Sequence, residues 1–192
     1  MPSRETKYLA YADGACHGNP GRGGWGVVII APDGARREIN GHGGHTTNNQ
    51  MELTAAIEAL RAIPPGARVI LRSDSQYVIN TMTRGWKRNA NHELWRQLDA
   101  EAAQRKVDFE WVRGHAGDEL NERADALATL GAKGAIGETM TSGSAEAAAA
   151  QLGAGEAIVK CAGCGSEFIA ANAGEKFCNH LRCQRRARDE KI

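Results

Sequence analysis

Tyr8-Leu9-Ala10-Tyr11-Ala12-Asp13-Gly14-Ala15-Cys16-His17-Gly18-Asn19-Pro20-Gly21 opens the ordered pattern of the chain. Residues 8–12 form an apolar run of strand length, too short for an ordinary helix. The run ends on an acid, Asp13, and passes into a loop dense in Gly, Asn and Pro. Trp25-Gly26-Val27-Val28-Ile29-Ile30 is a second apolar run, so the pair reads as strand, glycine-rich connection and strand. A carboxylate at the end of a central strand, facing glycines that admit a ligand close to the backbone, can seed a metal site. Standing alone, Asp13 would read better as the capping Asp of a turn. Its significance comes from the acids further along.

Working outward, Pro32-Asp33-Gly34 is a turn, and residues 36–44 read as a third strand that completes an antiparallel meander. His42-Gly43-Gly44-His45 has nothing nearby to complete a coordination shell and reads as loop at the strand end. Residues 46–52 start a helix, with Thr and Asn offering N-cap oxygens and Leu53, Ala56, Ile57, Leu60 and Ile63 forming its buried stripe. Glu52 falls in the first turn, where it would also suit the helix dipole. Residues 68–74 are another short apolar strand ending on an acid, Asp74, and Ser75 turns directly into a helix. Residues 84–91 form a basic loop around Trp86; such loops are usually solvated, though a Trp among cations also packs on nucleic acid. Leu94, Trp95, Leu98 and Ala102 give the next helix its apolar face, and residues 107–112 alternate as a fifth strand. A flexible loop at 113–118 leads to a helix over 119–133 with the stripe Leu120, Ala124, Leu127 and Leu130. Asp125 sits on the edge of that stripe, where an acid of poor helix propensity wants a reason. A meander followed by crossovers predicts an α/β fold: a mixed five-stranded sheet, three strands antiparallel and then parallel crossovers, with helices on both faces.

The totals bound the reading without naming a partner. At 192 residues the chain suits one ordinary domain and an appendage. Lys and Arg total 24 against 23 Asp and Glu, so any nucleic-acid surface must come from sorting charges onto faces. No apolar run approaches the ~20 residues of a membrane span, and no signal-peptide core opens the chain; a cytoplasmic protein without membrane contact is expected. Of five cysteines, Cys16 stands alone and reads as a small buried packing residue, while the other four crowd the C-terminus.

Asp13, Glu52, Asp74 and Asp125 together form a pattern: two close neighbouring central strands, one opens the helix between them, and one lies on the last helix. Four clustered carboxylates repel unless hard cations neutralise them, and Mg²⁺ prefers such oxygen ligands. Two ions roughly 4 Å apart can clamp the attacking and leaving oxygens of an in-line phosphodiester displacement.

The chain here resembles ribonuclease HI. The resemblance is carried by Tyr11-Ala12-Asp13-Gly14-Ala15-Cys16-His17-Gly18-Asn19-Pro20-Gly21, Thr46-Thr47-Asn48-Asn49-Gln50-Met51-Glu52-Leu53, Ser73-Asp74-Ser75-Gln76-Tyr77-Val78, Val112-Arg113-Gly114-His115-Ala116-Gly117 and Asn121-Glu122-Arg123-Ala124-Asp125. It covers about the first 135 residues, and the stretches keep the family's order. It implies that Asp13, Glu52, Asp74 and Asp125 hold two Mg²⁺ ions, with Mn²⁺ as an alternative, Asp13 bridging both ions and Glu52 helping to hold the one that activates water. It implies that His115 assists proton transfer or product departure, with an ordinary loop histidine as the lesser alternative. Asn19, Asn48 and Gln76 match contacts to the RNA strand and its 2′-hydroxyls, and Thr47 and Asn49 resemble contacts to the DNA strand. Amides beside metals can select RNA because RNA alone carries a 2′-OH. The chain departs from the pattern between Asp74 and Trp111, where the familiar bacterial enzymes carry a longer helix and a lysine-rich protrusion. Here Gly85-Trp86-Lys87-Arg88 leads almost directly into the Leu94-Trp95 helix, leaving Trp86 and Lys87 as the candidate contacts of a trimmed handle.

Residues 136–156 are Gly, Ala, Ser and Thr with scattered Glu, the composition of a linker between a catalytic domain at 1–135 and a module at 157–192. In that module Cys161, Cys164, Cys178 and Cys183 are spaced C-x2-C, thirteen residues, C-x4-C, which predicts a structural zinc site with His180 as a substitute ligand. The segment resembles small zinc-ribbon or treble-clef fingers. Seven basic residues against four acidic ones, four of the former being arginines within 182–188, suggest an added contact to nucleic acid or to a protein. The expected whole is a monomeric endoribonuclease that hydrolyses the RNA strand of RNA–DNA hybrids to 5′-phosphate and 3′-hydroxyl ends. The contrasting reading is a non-catalytic hybrid- or RNA-binding module with the same fold. A related polynucleotidyl transferase, such as a resolvase or transposase core, is disfavoured by the amide-rich motifs.

Overall fold

The computed structural model describes residues 7–141, 157–160 and 167–170. The chain divides into two compact units, residues 1–32 with 37–138 and residues 33–36 with 139–192. The elements of the first part of the chain are β1 (Lys7–Gly18), β2 (Gly21–Ile30), β3 (Arg36–Thr46), α1 (Asn48–Arg61), β4 (Arg68–Ser73), α2 (Gln76–Arg84), α3 (His92–Ala103), β5 (Lys106–Trp111), α4 (Glu119–Ala132) and β6 (Gly137–Thr141). They build one sheet in the order β5-β4-β1-β2-β3-β6. β1 runs antiparallel to β2 and parallel to β4, which is parallel to β5, so β1 is the hinge between the meander and the crossovers. Within the second unit, the described residues 157–160 and 167–170 form an antiparallel hairpin, β7 (Ala157–Lys160) with β8 (Glu167–Ala170), pairing Ala157 with Ala170 and Lys160 with Glu167.

The sheet therefore has six strands rather than the five expected. Residues 137–141, whose composition reads as linker, add an edge strand beside β3. Such a strand has almost no sequence signal: its last three residues are exposed, and no apolar alternation marks it.

Alternation along the strands sorts the core into two layers. Ala10, Ala12, Val27, Ile29, Val69 and Leu71 face the layer built from Leu53, Ile57, Leu60, Val78, Trp95 and Leu98 of α1, α2 and α3. Tyr11 and Val28 face the opposite way and pack on Ala124 and Leu127 of α4. Helices thus cover both faces as expected, with α4 the one helix on the second among the described residues. Its inner stripe differs from the expectation, because Leu130 is exposed while Ala128, Gly131 and Ala132 are buried. The partner strand explains this. A Cβ on Gly24 would overlap the backbone of Gly131 and Ala132, and one on Gly26 would overlap Ala124 O, so helix and strand meet backbone to backbone. Small residues fit that contact, and a leucine does not.

The glycines of the opening stretch serve the same end, which corrects its reading as a loop. β1 continues through Asp13 to Gly18, and Gly14, Ala15, Cys16, His17 and Gly18 pair with Trp25, Gly24, Gly23, Arg22 and Gly21. Asp13 is thus interior to a strand and not at its end. A Cβ on Gly14 would overlap Glu52 N, so that glycine is the clearance through which α1 reaches β1. His42, Gly43, Gly44 and His45 likewise lie inside β3. Only Asn19 and Pro20 are left for the turn, through a cis peptide bond.

Candidate active site

The acids arrive from three kinds of element. Asp13 sits on β1 on the same face as Tyr11, hence on the α4 side of the sheet. Asp74 follows β4 immediately, on the neighbouring strand. Glu52 is the fifth residue of α1, just past the first turn where the sequence placed it. Asp125 lies midway along α4.

Local chemistry sets each of these elements. α1 opens with a capping box: Thr47 Oγ1 accepts from Gln50 N, and the Gln50 side chain accepts from Thr47 N. Asn48 Nδ2 donates to Glu52 Oε1 at 3.0 Å, and Ser75 Oγ donates to Glu52 Oε2 at 2.6 Å. Ser75 is also the N-cap of α2, accepting from Val78 N, so one hydroxyl starts a helix and aims a carboxylate. Asp74 is held from two sides. Asn121 Nδ2 of α4 approaches Asp74 Oδ2 at 3.4 Å, and Trp111 Nε1 donates to the Asp74 carbonyl at 3.0 Å. Ser75 and Asn121 belong to the quoted motifs, yet the sequence assigns them no role. Both stand one position after or four before an acid, which is the signal that could have found them.

The electrostatics are those of an unneutralised cluster. Asp13 is only 7% exposed, and burial, reinforced by Asp74 and then by Asp125 and Glu52, pushes its carboxyl up to about 8. The Gly14 N–H, 2.7 Å from Asp13 Oδ1, pulls the other way and is outweighed. Glu52 is raised as well, by burial first and by Asp74, against the opposing Ser75 hydroxyl. Among the described residues, no three His, Cys, Asp or Glu side chains close into a ready-made cage. Asp74, Asp125 and Glu52 act on Asp13, and Asp74 acts on Glu52; oxygen donors of this kind suit a cation keeping some of its waters. Asn121 Oδ1, in a residue 2% exposed, has no hydrogen-bond partner among the described residues, a further polar atom available at the same place. The donor set fits hard divalent cations.

Around the acids the other candidates divide. Asn19 Oδ1 accepts from Asn48 N at 3.3 Å, which joins the β1–β2 turn to the start of α1 and gathers Asn19, Thr47, Asn48 and Asn49 on one rim. Gln76 is the first residue of α2 and is exposed beside Ser75. His115 is exposed with φ +50° in a loop whose Gly114 abuts Asp74. Trp86 and Lys87 are exposed in the short connection between α2 and α3. Their neighbour Arg88 is turned inward, pairing with Asp99 and lying 4.8 Å over the Trp95 ring. Cys16 is half-buried, its thiol 3.3 Å from Thr46 O. Cys161, Cys164, Cys178, His180 and Cys183 lie outside the described residues.

Comparison with known proteins agrees with this geometry. Residues 5–133 match the family described as RNase H. A ribonuclease H of Dinoroseobacter shibae is 50% identical over 140 residues, covering 64% of this chain and 89% of its own. LC9-RNase H1, a type 1 RNase H with the type 2 active-site motif, superposes with a TM-score of 0.63 at 33% identity, over 79% of this chain and 84% of its own. LC11-RNase H1, solved in complex with RNA/DNA hybrid, gives a TM-score of 0.59 at 28% identity over 67% of this chain and 98% of its own.

Proposed function

The chain belongs to the RNase H family, and we propose that it is an endoribonuclease that hydrolyses the RNA strand of RNA–DNA hybrids, leaving 5′-phosphate and 3′-hydroxyl ends. The observation that carries the reading is the buried Asp13 carboxyl, pushed up by burial first and then by the charges of Asp74, Asp125 and Glu52. Asp13, Glu52, Asp74 and Asp125 would hold two Mg²⁺ ions in this reading, and Mn²⁺ could substitute. Such ions, when bound, supply the charge that activates a water and stabilises negative charge on the scissile phosphate.

The chain's own residues do the rest. Asn48 and Ser75 fix the two oxygens of Glu52, and Asn121 steadies Asp74. Asn19, Asn48 and Gln76 present amides to the RNA strand, where a 2′-OH can both donate and accept. Thr47 and Asn49 contact the DNA strand, and Trp86 with Lys87 touches the flanking backbone. Water loses a proton to solvent as it attacks phosphorus, the bond to O3′ breaks and that oxygen takes up a proton, and His115 assists proton transfer or product departure.

For the remainder of the chain we propose that the catalytic domain, expected at 1–135, takes in β6 to residue 141, and is followed by a linker and a module at 157–192 in which Cys161, Cys164, Cys178 and Cys183 bind one structural Zn²⁺. The β7–β8 hairpin supports this, since Cys161 and Cys164 lie between its two strands in sequence. The module's arginines add affinity for the hybrid, and deletion of residues 140–192 should then raise the Michaelis constant. A monomer working in the cytoplasm completes the proposal; among the described residues no helix is long and apolar enough to cross a membrane.

The deciding experiment is cleavage of end-labelled RNA–DNA hybrid in Mg²⁺ by the protein and by Asp74→Asn. Cutting of hybrid but not of single- or double-stranded RNA, lost in the variant, supports the reading. Binding without cutting in either Mg²⁺ or Mn²⁺ would replace it with the non-catalytic module.

A further inference from the structure

Directly behind the acids lies a second row of polar side chains that the chemistry above leaves unused. Residues two apart on a strand point to the same face. Tyr11 therefore stands one step behind Asp13, and Arg72 one step behind Asp74. Tyr11 faces Arg72 across the β1–β4 pair, and Arg72 faces Glu110 across β4–β5. The three are bonded in that order. Arg72 Nη1 donates to the Tyr11 hydroxyl at 2.9 Å, its Nε donates to Glu110 Oε2 at 2.9 Å, and its guanidinium carbon lies 5.7 Å from the centre of the Tyr11 ring.

The row does not stop at the sheet. The Tyr11 hydroxyl donates to Asp118 Oδ2 at 3.0 Å. Asp118 is the N-cap of α4, and its other oxygen accepts from Leu120 N at 3.1 Å and Asn121 N at 3.3 Å. One oxygen starts the helix and the other ties that start to the sheet. Tyr11 packs among Val28, Ala124 and Leu127, where a phenylalanine would serve as well for burial. A hydroxyl in such a setting is sustained by partners of its own. From Ala124 to Ala132, α4 is already fixed by close contact with Gly24 and Gly26. Its start has this tie, beside the bonds of Asn121 to Asp74 and of Arg123 to Glu38, and the His115 loop ends at Asp118.

We propose that Tyr11, Arg72 and Asp118 form a positioning latch that sets where α4 begins, and so where Asp125 and the His115 loop stand relative to Asp13 and Asp74. The kinetic consequence rests on the hydrolytic reading above; the structural consequence does not. None of the latch residues is among the candidate substrate or cation contacts named above.

The test uses the full chain with Tyr11→Phe, Asp118→Ser and the double variant. Phe keeps the ring, and Ser keeps the helix cap while falling short of the tyrosine. With hybrid as substrate, kcat should fall about five- to twentyfold in each single variant, the range expected for a small misplacement of reacting groups, with KM within about twofold. The double variant should be no slower than the slower single one. In metal-free protein, amide exchange across residues 113–121 should quicken in both variants while α1 is unchanged. The latch is overturned if both variants keep wild-type kcat and exchange, if their losses add, or if the loss of kcat vanishes at temperatures where every protein is fully folded. Should Tyr11→Phe fail to fold, Asp118→Ser decides alone. If the unsubstituted protein cuts no hybrid, the hydrolytic reading falls, and the exchange comparison still judges the latch.

Discussion

Replacing Asp13 by Asn should stabilise the cation-free protein at neutral pH while abolishing its activity. A carboxyl whose value is raised in the folded state holds its proton more tightly there than in the unfolded chain. For Asp13 the interval runs from 3.8 to about 8. Stability is fully present below the lower value, declines as pH climbs through the interval, and levels off above the upper one. The slope approaches about 1.4 kcal/mol per pH unit, so ~4 kcal/mol is at stake between pH 4 and pH 7. That figure is a ceiling, because the acids can turn apart and admit water once Asp13 ionises. An asparagine in its place would keep the shape and the bond from Gly14 N–H while removing the titration. Urea unfolding in chelator at half-unit steps from pH 5 to pH 8 measures it. The wild-type curve should fall with pH and the variant's should stay flatter by about 1 kcal/mol per unit over the middle of the range. Excess Mg²⁺ should restore the wild type near pH 8, since the cation favours the ionised acid, and should do little for the variant. Equal slopes for the two proteins in chelator would refute the claim that burial and the neighbouring acids raise Asp13 in the folded protein.

Gly26→Ala places a methyl group against Ala124 O of α4; thermal denaturation should show a loss of about 1–3 kcal/mol, and hybrid cleavage should fall further than the folded fraction accounts for, because Asp125 moves with the helix. Ser75→Ala removes both the α2 cap and the bond to Glu52 Oε2. It should lower stability by about 1–2 kcal/mol and raise the Mg²⁺ concentration needed for half-maximal cleavage. Arg88→Ala breaks the partly exposed pair with Asp99 and the stack on Trp95. Unfolding should register about 1 kcal/mol or less with KM for hybrid unchanged, whereas Trp86→Ala and Lys87→Ala should raise KM and leave the melting temperature alone.

The four acids, the stripe of α1 and the alternation of the strands are legible because each is a local pattern of residue type and spacing. The glycine-rich stretch after Asp13 reads as a loop because glycine is ordinarily a mark of turns. Its true reason, the approach of α1 at Gly14 and of α4 at Gly24 and Gly26, depends on elements up to about a hundred residues away. The same contact turns Leu130 outward against its place in the stripe. Strand β6 is silent in the sequence because an exposed edge strand needs no apolar alternation. Tyr11, Arg72 and Asp118 look unrelated there, since 61 and 107 positions separate the tyrosine from its partners. Ser75 is closer to hand: a serine after a strand and before a helix announces a cap, and only its second bond, to Glu52, requires coordinates.

Asp13 lies inside β1, with paired backbone continuing on both sides of it. A residue so placed is a fixed post. Glu52 and Asp125 stand on helices, Asp74 sits past the end of its strand, and His115 belongs to a loop, so each has more freedom to travel than Asp13 does. When cations and substrate arrive, adjustment should be lopsided: the surroundings close toward one immobile carboxylate instead of all four converging on a midpoint. Catalytic geometry would then be referenced to the central strand of the sheet, and wear elsewhere, in a helix that slides or a loop that loosens, would show first as lost cation grip and only afterwards as a changed place of cutting.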